Sequence, residues 1–184
     1  MMGTTHTIPV RAGRRYAAVA ALALGLLAAA CGDDSANSHS SAKASTVNVK
    51  AVDFGFEGLP ASVKAGTTLK LTNESTREAH ELVAVKLPDN ERRSVAELLK
   101  LPEEQLMGLF TGPPALVLLA PPGGGEQIVA EGDGTLREPG RYLVLCNVPT
   151  GADARAFMNS TGPGQVTGGA PHHVHGMYAE VMVR

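Results

Sequence analysis

A chain of 184 residues, 43% hydrophobic and 18% charged, has room for one folded domain with flanking segments and would be cramped for two. The formal net charge of -2 supplies no basic field to hold a phosphate backbone, which argues against nucleic acid as a partner. With 21 Gly, 12 Pro and 4% aromatic residues, Trp absent, the composition favours turns and short strands over long helices.

At the start of the chain, Arg11, Arg14 and Arg15 precede an apolar run from Tyr16 to Ala30, the pattern of an export signal. Its length of 15 residues, at about 1.5 Å each, covers roughly 22 Å against a hydrocarbon core of roughly 30 Å, so cleavage is expected rather than permanent insertion. Leu27-Ala28-Ala29-Ala30-Cys31 resembles the lipobox of bacterial lipoproteins, with Leu one position further from the cysteine than is usual. The expectation is a signal peptide over 1–31, lipidation at Cys31 and a membrane contact through that lipid; the alternative is ordinary cleavage near Ala30, leaving a free thiol. Residues 32–46 are small, polar and Ser-rich, the composition of a flexible tether.

From Val47 to Arg184 the pattern is that of an all-β sandwich. Val47 to Phe54 reads as a first strand. Leu59-Pro60 and Lys64-Ala65-Gly66 are turns, and Thr67 to Thr72 is a half-buried strand with Leu69 and Leu71 on its inner face. Glu81 to Leu87, Gln127 to Ala130, Arg141 to Asn147 and Tyr178 to Val183 follow as strands. Between Leu87 and Pro122 the period changes: Ser94 to Glu97 fits a capping box opening a helix toward Lys100, and Pro102 can start another. A second excursion, Pro149 to Pro171, is rich in Gly, Ala and Pro, with a short helix expected from Ala152 to Met158. Gly123-Gly124-Gly125 lacks the Lys and Ser/Thr of a phosphate-binding loop and reads as a turn.

Cys146 is informative because, with Cys31 lipidated, it stands alone in an oxidising compartment, where burial or metal ligation would each account for it. Val63 to Thr68, Asn73, His80, the run Pro139 to Cys146, Pro171-His172 and Gly176-Met177 together resemble the cupredoxins such as plastocyanin over nearly all of 47–184. The resemblance implies a Greek-key β-sandwich of seven or eight strands, here with short helical insertions. It also implies a type 1 copper site made of His80, Cys146, His172 and Met177, with His80 the more buried imidazole and His172 the one near the surface. A thiolate, two imidazoles and a weak thioether suit copper in both oxidation states, so the implied role is a one-electron carrier serving a redox protein partner in the cell envelope, not an enzyme.

This sequence departs from the family in three places. The segment from Cys146 to His172 is far longer than usual, Glu81 follows the first His, and Asn147 follows the Cys. Loop-closure entropy rises only about 0.6 kcal/mol per doubling of length, so the long segment by itself does not forbid convergence. His173 and His175 are more imidazole than one centre uses; in an extended stretch they would share a face that His172 does not. They leave open a copper-handling protein, chaperone or store, and a metal-free scaffold is a third reading. Asn73 reads first as a turn residue and second as a tie between two loops.

Overall fold

The computed structural model describes residues 45–110, 112–160 and 166–184. The expected signal segment, Cys31 and nearly all of the tether lie outside the described residues.

The first strand, β1 (Thr46–Val52), buries Val49 and Ala51 and stops two residues before the expected end, because Asp53 and Phe54 turn the chain back into β2 (Gly55–Glu57). β3 (Ser62–Val63) is a short edge strand, and β4 (Thr67–Asn73) has the expected alternation, with Thr67, Leu69, Leu71 and Asn73 inward. β5 (His80–Lys86) differs: all but its last residue are buried, so both of its faces are covered.

The cover on its outer face is the first excursion. Ser94 forms the expected capping box with Glu97 and starts α1 (Val95–Leu98), and Pro102 precedes α2 (Glu103–Met107). A helix of four residues has no independent stability; α1 persists because Val95 and Leu98 pack onto Val83, Val85, Leu87, Leu143 and Leu145. The helical excursion ends earlier than the sequence pattern suggested, since Leu116–Ala120 is a strand, β6, paired along its length with β5. Its run of Leu, Val and Ala carries no polar alternation because both of its faces meet other side chains, which removes the period-2 signal.

β7 (Ile128–Glu131), β8 (Thr135–Leu136) and β9 (Gly140–Leu145) follow, then α3 (Ala154–Met158), capped by Asp153 within the second excursion. A 3-10 turn, His172–His175, leads into β10 (Tyr178–Val183). The described strands form a four-stranded sheet, β2-β1-β4-β8, and a six-stranded sheet, β3-β10-β9-β5-β6-β7. Three short strands, β2, β3 and β8, raise the number above that expected. Within the larger sheet, β5, β6 and β7 run antiparallel in succession and β9 returns beside β5, giving the spatial order 4-1-2-3 of a Greek key. The core between the sheets joins Val49, Leu69 and Leu71 from one to Leu82, Leu116, Leu118, Tyr142 and Val181 from the other. No helix among the described residues is long and apolar enough to cross a membrane.

Candidate metal centre

The centre lies where β5 begins and β9 ends. His80 opens β5 opposite Ala120, and the preceding loop is pinned by Asn73, which is 1% exposed. Its Nδ2 donates to the carbonyls of Glu78 (2.8 Å) and Ala120 (3.0 Å), and its Oδ1 accepts the Ser75 N–H (2.9 Å). Asn73 therefore acts both as a turn residue, through Ser75, and as a tie between the loop before His80 and the end of β6.

Cys146 follows β9, and its backbone meets the returning chain twice: its N–H donates to the Met177 carbonyl (3.1 Å) and its carbonyl accepts the His173 N–H (2.9 Å). The His172 N–H donates to Val148 (3.0 Å), Pro149 bridges Pro171, and Thr150 bonds Ala170 and Gly169. The long excursion is thus closed at its base like a hairpin. Its length does not set the separation of Cys146 and His172, because these backbone bonds do.

Cys146 Sγ lies 3.5 Å from His172 Nδ1 and 4.0 Å from His80 Nδ1, and the two Nδ1 atoms are 3.1 Å apart. A triangle with sides of 3.1, 3.5 and 4.0 Å has a circumradius of about 2.1 Å, so one point in its plane stands at bonding distance from all three atoms. Protein ligands hold nitrogen at roughly 2.0 Å and sulfur at roughly 2.3 Å from such an ion, and a His2Cys trigonal set is the arrangement that suits copper. All three residues are fully buried, and theirs is the one group of three or more potential ligands that converges among the described residues.

The surroundings reinforce a cationic guest. Burial, followed by the neighbouring His172, lowers the His80 pKa to about 4, and burial lowers that of His172 as well. Burial also pushes the Cys146 thiol far above its ordinary range. Without a cation the centre therefore holds neutral groups, and a bound metal would turn the thiol into a thiolate. The Glu81 N–H donates to Cys146 Sγ at 3.4 Å, a hydrogen bond from the strand backbone onto the sulfur. Glu81 itself is buried, and its Oε1 accepts the Asn147 N–H (2.8 Å), so the two neighbours that depart from the family pattern are joined to each other.

Met177 is fully buried beside the trio, with its N–H on the His172 carbonyl (3.2 Å) and its carbonyl on the Cys146 N–H. His172, like His80, has no exposed surface, and the Phe54 ring packs edge-on against it with centroids 5.2 Å apart; of the two imidazoles His80 is the more deeply buried. The remaining histidines sit otherwise than expected. The segment is a 3-10 turn rather than extended, so positions three apart share a face: His175 stands over Phe54 with His172, while His173 points elsewhere. His173 lines an apolar cavity on the outer side of the sheet together with Val83, Val117 and Leu145, and His175 is exposed. Neither joins the trio.

Three further residues reach the centre without having been marked in the sequence. Phe54 stands at φ 63°, a left-handed conformation uncommon outside glycine, at the β1–β2 turn. Asp53 Oδ1 is 3.9 Å from His80 Nε2, and Glu78 Oε2 is 3.6 Å from His172 Nε2. Glu78 is two residues before His80, a local signal; Asp53 and Phe54 come from a turn about 27 residues away and carry no spacing pattern linking them to the site.

No protein-family model matches the chain, and no curated protein matches it. Among solved structures it is similar to sodium-dithionite-reduced auracyanin from the photosynthetic bacterium Roseiflexus castenholzii, at 19% identity and TM-score 0.41 over 77% of this chain and 98% of that one. It is also similar to auracyanin A, described as a "blue" copper protein of the green thermophilic photosynthetic bacterium Chloroflexus aurantiacus, at 18% identity and TM-score 0.41, over 76% of this chain and 98% of that one. Auracyanin B matches at 21% identity and TM-score 0.33, over 77% and 89% of the respective chains.

Proposed function

We propose that this protein is an exported, membrane-tethered copper protein that carries single electrons, in which His80, Cys146 and His172 would hold the copper and Met177 would add a weak thioether donor. The observation that carries the reading is the buried triangle of two Nδ1 atoms and one Sγ with a common point about 2.1 Å from each. Copper in such a donor set supplies a one-electron couple, since thiolate and imidazole suit both of its oxidation states.

The chain's own part is rigidity and exclusion of water. His80 is set by a strand register and the Asn73 clamp, Cys146 by β9 and the Met177 carbonyl, His172 by Val148 and a 3-10 turn. Ligands held on such elements keep one geometry through a change of charge, which keeps reorganisation small. The 3-10 turn carries Val174, 62% exposed, and the exposed His175 over the buried His172, so a redox protein of the envelope would approach there. The separate placement of His173 and His175 gives a copper store no second cluster among the described residues. Export and tethering rest on the residues before Gly32, above all Cys31.

The test is the visible spectrum of the Cu(II)-loaded protein and of Cys146→Ala. An intense thiolate-to-copper band that disappears in the variant is expected; a wild type with only the faint absorbance of nitrogen and oxygen ligation would overturn the reading. Incorporation of radioactive fatty acid, lost in Cys31→Ala, tests the tether.

A further inference from the structure

Both imidazoles turn Nδ1 toward the shared point, which leaves Nε2 of each to be accounted for. His80 Nε2 and His172 Nε2 are sealed from solvent and have no hydrogen-bond partner. A buried N–H without an acceptor is costly, so each ring position asks for one. The nearest anionic oxygens come from two separate loops, Asp53 Oδ1 at 3.9 Å from His80 and Glu78 Oε2 at 3.6 Å from His172. These separations are longer than hydrogen bonds, and each has to shorten by several tenths of an ångström for a bond to form.

We propose that Asp53 and Glu78 are positioning residues of the metal centre, each accepting the Nε2–H of one imidazole and so holding Nδ1 as the atom that faces the ion. The inference rests on the copper reading above. Each carboxylate lies where local structure is committed to putting it. Asp53 occupies the tight β1–β2 turn next to Phe54, whose left-handed backbone sends its ring onto His172, so one turn serves both imidazoles. Glu78 lies in the loop clamped by Asn73, and both of its carboxylate oxygens accept the Gly151 N–H at 3.2 Å. That contact joins the loop before His80 to the base of the long excursion, so Glu78 links the two ligand-bearing segments that are furthest apart in sequence.

A carboxylate behind a ligating imidazole makes the ring a stronger donor and favours the more highly charged ion. Removing it should weaken Cu(II) binding by roughly 10 to 100-fold, should weaken Cu(I) binding less, and should therefore raise the reduction potential. The experiment uses the full chain and compares wild type with Glu78→Gln, Glu78→Ala, Asp53→Asn and the charge-conserving Glu78→Asp and Asp53→Glu. Cu(I) and Cu(II) affinities come from competition with chelators, and the potential from spectroelectrochemistry. Raised potentials in the neutral variants, restored toward wild type in the conserving ones, are expected; a loosened loop alone would not follow charge in this way. A wild type with the intense copper band and variants matching it in both affinity and potential would overturn this inference alone. A wild type that takes up no copper would overturn the copper reading, and this inference with it.

Discussion

Acidifying the metal-free protein should destabilise it in a window set by its buried imidazoles. His80 has its pKa lowered from 6.5 to about 4 in the folded state, so between those values the unfolded chain binds the extra proton and the folded chain does not. Stability is therefore full above about pH 6.5, falls as the pH drops toward 4, and levels off below that as far as this group is concerned. The depression from 6.5 to about 4, at about 1.4 kcal/mol per pH unit, amounts to roughly 3 kcal/mol, a large part of the roughly 5 to 15 kcal/mol that holds a domain folded. His172 is lowered too and acts in the same direction, whereas Glu91, held down to about 2 by Arg93, loses its contribution only at lower pH. Urea denaturation of the chelator-treated protein at pH 7, 6, 5 and 4 reads this as a falling midpoint at constant slope. His80→Asn should flatten the profile. A wild-type midpoint that stays constant from pH 7 to 4.5, or an equally steep fall in His80→Asn, would refute the argument.

Copper uptake at neutral pH should release about one proton per ion, because burial keeps the Cys146 thiol protonated until a cation arrives; calorimetry in buffers of different ionisation enthalpy measures it, and zero release would remove Cys146 from the ligand set. Leu98→Ala, at a fully buried position of α1, should cost about 2 to 5 kcal/mol and should leave the copper spectrum nearly unchanged, since α1 packs on the outer face of the sheet; a spectrum lost along with stability would contradict that separation. Asn73→Ala leaves the Glu78 and Ala120 carbonyls without their donor and should cost about 1 to 3 kcal/mol by chemical denaturation, with faster loss of copper to a chelator; an unchanged loss rate would mean that the clamp does not hold His80.

Strands bounded by clear turns were legible, β5 among them although both of its faces are covered; a strand that directly follows a helical stretch was not. β4 and β10 alternate or stand between clear turns, and Ser94 to Glu97 announces the helix it caps. β6 has apolar residues on both faces, Leu116 and Leu118 in the core and Val117 half-buried against the outer cluster, so it lacks the alternation that marks a strand and reads as a continuation of the helical stretch before it. The His172 to His175 segment differs for a related reason: an extended reading assumes a period of two, while the backbone bonds from the Val174 N–H to Pro171 and from the Gly176 N–H to His173 wind it into a 3-10 turn.

Local sequence marked out a β-sandwich pattern of short strands and turns, and the resemblance to the cupredoxins implied the donor set His80, Cys146, His172 and Met177. Residue type and turn chemistry are properties of short stretches, so they survive in a linear reading. Tertiary structure decided that three of those donors meet within 4.0 Å, that His173 and His175 do not join them, and that Asp53, Glu78 and Phe54 surround the rings. Those facts depend on which strands pair and where the long excursion closes, and pairing is settled by burial and hydrogen bonds between segments distant in the chain.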